Sequence, residues 1–169
     1  MRKTLFESLT RRPFTESLAA PADPVIARMA ADLDVRARRR LGRSLSLRLV
    51  DAGSCNACEL ELNALSNPYY DLERFGLRFV ASPRHADVLL VTGPVTKNMR
   101  EALLRTYDAM PAPKWVVAVG DCAVCGGLYA DSYACVRGAD EVLWVDLRIA
   151  GCPPSPTRLL EGFLALLAS

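Results

Sequence analysis

Four cysteines stand in glycine- or proline-bearing turns, and each turn directly follows a run of apolar or β-branched residues. The turns are Gly53–Cys58, Gly120–Gly127 and Gly151–Pro154, and the cysteines are Cys55, Cys58, Cys122 and Cys152. In an open α/β sheet the carboxyl ends of parallel strands share one edge, and ligands bind there. We therefore expect the four thiols to meet at that edge. Four thiolates are the ligand count of one iron–sulfur cluster.

The chain after Arg43 alternates between short apolar runs and stretches with helical spacing. Strands are predicted at Leu45–Val50, Leu77–Val80, Val88–Thr92, Trp115–Val119 and Val142–Leu147, and helices at Ala57–Leu65, Lys97–Met110 and Pro156–Leu167. The near-continuous apolar character of Val88–Thr92 is typical of a strand that is covered on both faces. The pattern predicts an α/β fold: an open, mainly parallel sheet of four to five strands in flavodoxin-like order, with helices on both faces.

The first part of the chain differs from the rest in charge. Residues 1–48 hold eleven Lys or Arg against five Asp or Glu, whereas the remainder holds ten against fourteen. From Pro24 onward, Ile26, Met29, Leu33 and Ala37 recur at helical spacing. We expect residues 1–43 to form a basic, partly amphipathic helical arm and residues 44–169 to form the iron–sulfur domain. The arm is either a surface helix with a solvated basic end or an element that lies on a membrane or membrane subunit.

The cysteines are expected to work in a reducing compartment. No apolar run approaches the length of a membrane span, and Glu7 and Arg11 interrupt the stretch where a signal peptide would be apolar. We therefore expect a cytoplasmic protein, in which six cysteines serve as metal ligands or redox groups more often than as a disulfide framework.

Two other functions are compatible with some of the cysteines. Cys55 and Cys58 at a helix start could form a thioredoxin-like redox pair, which would leave Cys122 and Cys152 without a role. A structural zinc site usually takes its ligands as two Cys-x-x-Cys pairs, so zinc is disfavoured here. Cys125 and Cys135 are interpreted as packing residues.

The sequence resembles a known family at these turns. The residues that carry the resemblance are Asp51–Glu61 (DAGSCNACELE), Gly120–Gly127 (GDCAVCGG), Gly151–Pro156 (GCPPSP), Asn67–Gly76, Ser82–Pro94 and Arg105–Asp108. They resemble the small subunit of complex-I-related, membrane-bound nickel–iron hydrogenases of the formate hydrogenlyase and hydrogenase-4 type. This subunit is homologous to the cluster-bearing B subunit of respiratory complex I, and the likeness covers residues 43 to about 160.

The resemblance implies an electron-transfer subunit that carries one 4Fe–4S cluster on Cys55, Cys58, Cys122 and Cys152. It implies a nickel–iron large subunit as partner, together with a ferredoxin-like iron–sulfur subunit and membrane subunits, and no nucleic acid. The complex would be peripheral, on the cytoplasmic side of the cell membrane. The chain would act as part of an oxidoreductase without an independent active site.

The alternative is a complex-I-type subunit that passes electrons to quinone. Complex I subunits generally carry adjacent cysteines in the first turn, whereas two residues separate Cys55 and Cys58, as in hydrogenases. The absence of a cysteine after Cys152 favours the one-cluster class.

Four polar residues near the familial motifs receive individual predictions. Glu61 matches a family acid that faces the partner and is a candidate proton relay, and Glu59 is expected to be solvated. Arg84 is expected either to raise the cluster potential by its charge or to pair with Asp87. His85, the single histidine of the sequence, is expected to be structural.

Overall fold

Helices and strands alternate along most of the chain, which a computed structural model describes from residue 24 to residue 168. The helices are α1 (Pro24–Leu41), α2 (Ala57–Ala64), α3 (Lys97–Asp108), α4 (Asp121–Cys125) and α5 (Pro156–Ala168). The strands are β1 (Leu45–Asp51), β2 (Leu77–Phe79), β3 (Val88–Thr92), β4 (Trp115–Val119) and β5 (Leu147–Ile149). Short 3₁₀ turns lie at Leu72–Phe75, Pro83–His85, Gly127–Tyr129 and Ala139–Glu141.

The five strands form one parallel sheet in the order β2-β1-β3-β4-β5. This confirms the predicted flavodoxin-like order. The last residues of four strands are in register: Asp51 pairs with Thr92, Thr92 with Val119, and Val119 with Ile149. The segments that leave β1, β3, β4 and β5 therefore start from one common edge.

Side chains of the central strands alternate between two apolar cores, one on each face of the sheet. Leu47, Leu90 and Val117 pack with Phe163 of α5 on one face. The alternate strand residues pack on the other face with Leu103 of α3. Burial on both faces explains why the central runs are apolar throughout, and each fully buried large side chain contributes about 1.5–3 kcal/mol.

Helix α1 packs against α5 and the turn Leu72–Phe75. Its residues Leu33 and Ala37 are 0% and 1% exposed and belong to the core on the α5 face. The apolar side of α1 is therefore used within the chain, as in a surface helix of an α/β domain. The boundary after Arg43 stays a prediction. Residues 1–23 of the predicted arm lie outside the described part of the chain.

The predicted strand Val142–Leu147 is wrong in position, because β5 begins only at Leu147. Leu143 and Val145 are buried, so the alternation of apolar residues that suggested a strand is present. However, the N–H of Val116 in β4 donates to Oδ2 of Asp146 at 2.7 Å. A side chain thus takes the place of a backbone acceptor, and the β4–β5 ladder begins one residue later.

The expected roles of Arg84 do not fit the fold. Arg84 precedes β3 and therefore lies at the amino edge of the sheet, separated from the carboxyl edge by five strand residues, about 16 Å. Asp87 is buried and pairs with Arg43, whose Nη1 and Nη2 donate to its two oxygens at 2.9 and 2.6 Å. Arg84 is thus on the opposite edge of the sheet from the cysteines, and its expected partner Asp87 pairs with Arg43 instead.

Candidate iron–sulfur site

The three cysteine-bearing turns leave the carboxyl ends of three strands. Cys55 and Cys58 follow β1, Cys122 follows β4, and Cys152 follows β5. Cys55 and Cys152 are exposed, whereas Cys58 and Cys122 are half-buried. All six cysteines of the chain are free thiols.

Asp51 shapes the first turn. Its Oδ1 accepts hydrogen bonds from the N–H groups of Gly53 at 2.8 Å and Ser54 at 2.7 Å. Asn56, between the two cysteines, has a left-handed backbone with φ of 69°. This residue lets the chain turn directly into α2, so Cys58 stands in the first turn of that helix.

Asp121 connects the second turn to the third. Its N–H donates to the carbonyl oxygen of Gly151 at 2.9 Å, and its Oδ1 accepts from the N–H of Gly151 at 2.8 Å. Asp121 directly precedes Cys122, and Gly151 directly precedes Cys152. Two hydrogen bonds therefore hold the backbones next to these cysteines together.

Two glycines let the main chain lie against sulfur atoms. A Cβ atom on Gly120 would be 2.5 Å from Sγ of Cys58, and one on Gly127 would be 2.8 Å from Sγ of Cys122. The N–H of Leu128 forms a hydrogen bond with Cys122. Glycine-lined sulfurs with backbone N–H donors are the surroundings that an iron–sulfur cluster takes, so the residues present fit such a group.

The four thiols influence one another electrostatically. Burial raises the pKa of Cys58 to about 12, with further contributions from Glu59, Cys122, Cys55 and Cys152. Burial and then Cys152 and Cys55 raise the pKa of Cys122, and the Leu128 N–H partly offsets this. These contributions agree with the register of the sheet, in which the strands before the four cysteines end at one common edge.

The raised pKa values also bear on the disulfide-exchange alternative. An attacking thiol of the thioredoxin type at a helix N-terminus has a lowered pKa, because the thiolate is the nucleophile. The pKa of Cys58 is raised instead, so Cys58 is not such a thiol. The attacking thiol of a redox pair here would be the exposed Cys55, and this alternative leaves Cys122 and Cys152 without a role.

The other two cysteines have different surroundings. Sγ of Cys125 is exposed and donates to the carbonyl oxygen of Asp121 at 3.2 Å, within the single turn of α4. Cys135 is half-buried and forms an isolated bridge with Thr96. Neither is among the principal causes of the pKa shifts of Cys58 and Cys122.

Within residues 24–168, no group of three or more His, Cys, Asp or Glu side chains is close enough to hold a single metal ion. A four-iron cluster binds one thiolate at each iron, a wider arrangement than a mononuclear site requires. The assignment of Cys55, Cys58, Cys122 and Cys152 as ligands stays a prediction.

The prediction that Glu59 is solvated is wrong. Glu59 is 7% exposed, and neither of its buried carboxylate oxygens has a hydrogen-bond partner in the described part of the chain. It stands in the first turn of α2, next to Cys58. Glu61, the predicted relay, is half-buried.

Large apolar side chains are exposed on segments that adjoin the cysteines. Leu128 and Tyr133 are 92% and 89% exposed, and Tyr129 and Leu60 are also exposed. Leu60 is two residues after Cys58, and the other three lie in the loop after α4. Exposed large apolar side chains are typical of surfaces that bind another protein.

Sequence reasoning missed the roles of Asp121 and Glu59. An acidic residue beside a predicted metal ligand is ordinarily read as solvated, because nothing local indicates a partner. The apolar loop could have been found, since Leu128, Tyr129 and Tyr133 form a group of large residues outside any predicted strand or helix.

A family model described as "NADH ubiquinone oxidoreductase, 20 Kd subunit" matches residues 55–166. The match begins at the first cysteine and covers most of the chain, including all four turn cysteines. The chain belongs to this family. The description of this family names a subunit of an oxidoreductase.

A curated relative of the chain is a formate hydrogenlyase subunit. The chain is 43% identical over 145 residues to formate hydrogenlyase subunit 7 of Escherichia coli (strain K12), covering 86% of this chain and 55% of the relative. The chain thus spans about half the length of that curated relative.

Solved structures share the fold of the 20 kDa-type chain. A chain of the membrane-bound sulfane sulfur reductase, an archaeal respiratory membrane complex, has a TM-score of 0.67 and 36% identity, over 81% of this chain and 74% of that one. A chain of an NAD⁺-reducing [NiFe]-hydrogenase in the H₂-reduced state has a TM-score of 0.60 and 21% identity, over 75% and 92%. The second likeness concerns the fold.

Among the described helices, none has the length and hydropathy to cross a membrane.

Proposed function

We propose that this chain is the electron-transfer subunit of a membrane-associated nickel–iron hydrogenase complex. In this proposal it carries one 4Fe–4S cluster on Cys55, Cys58, Cys122 and Cys152. The observation that carries the proposal is the convergence of the three cysteine-bearing turns at one edge of the sheet, where Gly120 and Gly127 lie against the sulfurs of Cys58 and Cys122. A relative named as a formate hydrogenlyase subunit supports the hydrogenase assignment.

The chain's own residues supply the ligands and their surroundings. Cys58 and Cys122 offer half-buried sulfurs against glycine backbone, and Cys55 and Cys152 offer exposed sulfurs on the rim. When bound, the cluster supplies one-electron transfer. Iron binding requires thiolates, so assembly releases the protons that the raised pKa values hold on Cys58 and Cys122.

The partner that holds the nickel–iron centre is proposed to cover the cysteine edge. Two of the four thiols are exposed in the isolated chain, and an exposed cluster would be open to oxidants and water. Leu60, Leu128 and Tyr133 provide apolar contact area next to these thiols. Covering this edge brings the partner's centre close to the cluster, as electron transfer requires.

The remaining partners and the location follow from the basic arm and the relatives. We propose a ferredoxin-like subunit that exchanges electrons with the complex, and membrane subunits against which the complex docks on the cytoplasmic side. Residues 1–48 carry eleven basic against five acidic residues, and each basic residue near an anionic surface contributes about 1 kcal/mol. A structural relative from an archaeal respiratory membrane complex supports attachment through partners.

The second candidate function is a quinone-reducing complex of the complex I type. The family description, a subunit of NADH ubiquinone oxidoreductase, favours it. In that case the same four cysteines carry the cluster, and the acceptor differs. The two residues between Cys55 and Cys58 favour the hydrogenase type, as stated for the resemblance above.

Anaerobic purification of the tagged chain with its native partners tests the proposal. We expect a brown complex with about four iron and four sulfide per copy of this chain. Assays with reduced viologen for hydrogen release and with quinone separate the two candidate reactions. A complex that reduces quinone but not protons overturns the hydrogenase assignment, and a colourless chain overturns the cluster.

A further inference from the structure

Beyond its last ladder pair, β5 remains attached to β4 through Asp121. The N–H of Gly120 donates to the carbonyl oxygen of Ile149 at 2.8 Å, and the N–H of Asp121 donates to that of Gly151 at 2.9 Å. At this point the chain after β4 enters α4, so no further backbone carbonyl of that segment faces β5. The N–H of Gly151 donates instead to Oδ1 of Asp121 at 2.8 Å.

This contact joins positions that are thirty residues apart in sequence. Each partner is the immediate neighbour of a cysteine, so any slippage between them changes the separation of Cys122 and Cys152. Asp51 makes a different kind of contact, because its Oδ1 accepts from N–H groups that are only two and three residues further along the chain. Of these two aspartates, Asp121 is the one that links two separate turns.

We propose that Asp121 is a positioning residue, whose carboxylate oxygen fixes the spacing of the Cys122 and Cys152 turns through the N–H of Gly151. The inference rests on the proposed cluster for its purpose. The position of the acceptor, rather than its charge, is what the geometry requires. An amide oxygen at the same place serves equally, and a carboxylate one methylene further away does not.

Two reciprocal variants separate position from charge. Asp121→Asn keeps an acceptor at the same position and removes the charge, whereas Asp121→Glu keeps the charge and displaces the acceptor. Both are made in the anaerobically purified complex, and the loss of cluster absorbance is followed after addition of an iron chelator. We expect Asp121→Asn to bleach at the rate of the unaltered protein and Asp121→Glu to bleach about tenfold faster.

Electron paramagnetic resonance and redox titration add readouts that general destabilisation would not produce. Asp121→Asn should keep the line shape and raise the midpoint potential, because a nearby negative charge is removed. Asp121→Glu should broaden the line shape, because the ligand geometry becomes heterogeneous. If Asp121→Glu behaves like the unaltered protein, or if Asp121→Asn is the labile variant, the positioning role is overturned.

Hydrogen exchange on the metal-free full chain tests the contact without any cluster. The N–H of Gly151 should be protected in the unaltered chain and in Asp121→Asn, and should exchange rapidly in Asp121→Glu and Asp121→Ala. Equal exchange in all four overturns the positioning role even if the cluster is present. A protected Gly151 in a chain that binds no iron in its complex instead overturns the proposed function, and with it the purpose assigned to Asp121.

Discussion

Gly120 lies against the sulfur of Cys58: a Cβ atom at this position would be 2.5 Å from Sγ, closer than real Cβ contacts allow. Its φ of 87° is also a backbone conformation that favours glycine. This close approach of the main chain to a proposed ligand thus depends on the absence of a side chain at Gly120.

Gly120→Ala is therefore expected to displace Cys58 and to prevent stable cluster assembly. The strained backbone alone costs about 1–3 kcal/mol. Iron content and urea unfolding of the purified chain measure the two effects. Gly42→Ala is the matched control, because Gly42 has a φ of 69° but nothing within 4 Å of an added Cβ. The control should cost about 1–2 kcal/mol and leave iron content unchanged; equal iron content in both variants would contradict the steric argument.

Single Cys→Ser changes should divide the six cysteines into two classes. Loss of Cys55, Cys58, Cys122 or Cys152 should abolish or convert the cluster and weaken assembly with the partner, because one iron of the cluster would then lack its cysteine thiolate. Cys125→Ser and Cys135→Ser serve as controls and should leave the paramagnetic resonance signal unchanged. If Cys125→Ser loses the cluster and Cys122→Ser keeps it, the third ligand is Cys125 and not Cys122.

Leu33→Ala should destabilise the whole domain, although it lies within the predicted arm. Leu33 is fully buried in the core beside α5, and truncation of such a leucine costs about 2–5 kcal/mol. Val35→Ala on the same helix is the control: Val35 is 47% exposed and should change stability by less than about 0.5 kcal/mol. The urea midpoints of unfolding of the two variants test this difference in stability. Equal midpoints would show that residues 1–43 are separable from the fold.

The metal-free chain should lose stability in alkaline solution. The pKa of Cys58 is raised from 9.0 to about 12 in the folded chain. The folded state therefore keeps the proton where the unfolded state has lost it, and this contribution to stability is complete below about pH 9. It declines as the pH rises toward 12.

Urea titrations from pH 7 to pH 11 measure this decline. In Cys58→Ser the free energy of unfolding should fall less steeply above pH 9, because the titrating thiol is removed. Cys135→Ser is the control, and its free energy of unfolding should depend on pH as in the unaltered chain. An unchanged slope in Cys58→Ser would assign the alkaline loss to other groups.

The arrangement of strands was predictable because it depends on local pattern. Apolar runs such as Val88–Thr92 must be covered on both faces, and the helices between strands make the sheet parallel. The cysteine turns could be located for the same reason, since a strand that ends before a glycine delivers the following residues to the edge. The error at Val142–Leu147 arose because Asp146, thirty residues from Val116, replaces a ladder partner.

Arg84 shows a second limit of local reasoning. Asp87 is three residues away along the chain, but the contact with Arg43 is the one that forms. The backbone N–H of Ser46 donates to the same carboxylate at 2.9 Å, so Asp87 is oriented toward the start of β1. Sequence proximity gave no indication of this, because the two strands pair only in the folded sheet.

By itself, the sequence determined the first four strand runs, the order of the strands in an α/β sheet, and the delivery of Cys55, Cys58, Cys122 and Cys152 to turns after strands. Only the tertiary structure decided that Glu59 is buried with no hydrogen-bond partner among residues 24–168, and that α1 belongs to the core. It also decided that Asp121 holds Gly151. The physical reason is that apolar periodicity is a property of neighbouring residues along the chain. Burial and hydrogen-bond partners depend instead on which distant segments the packed sheet brings together.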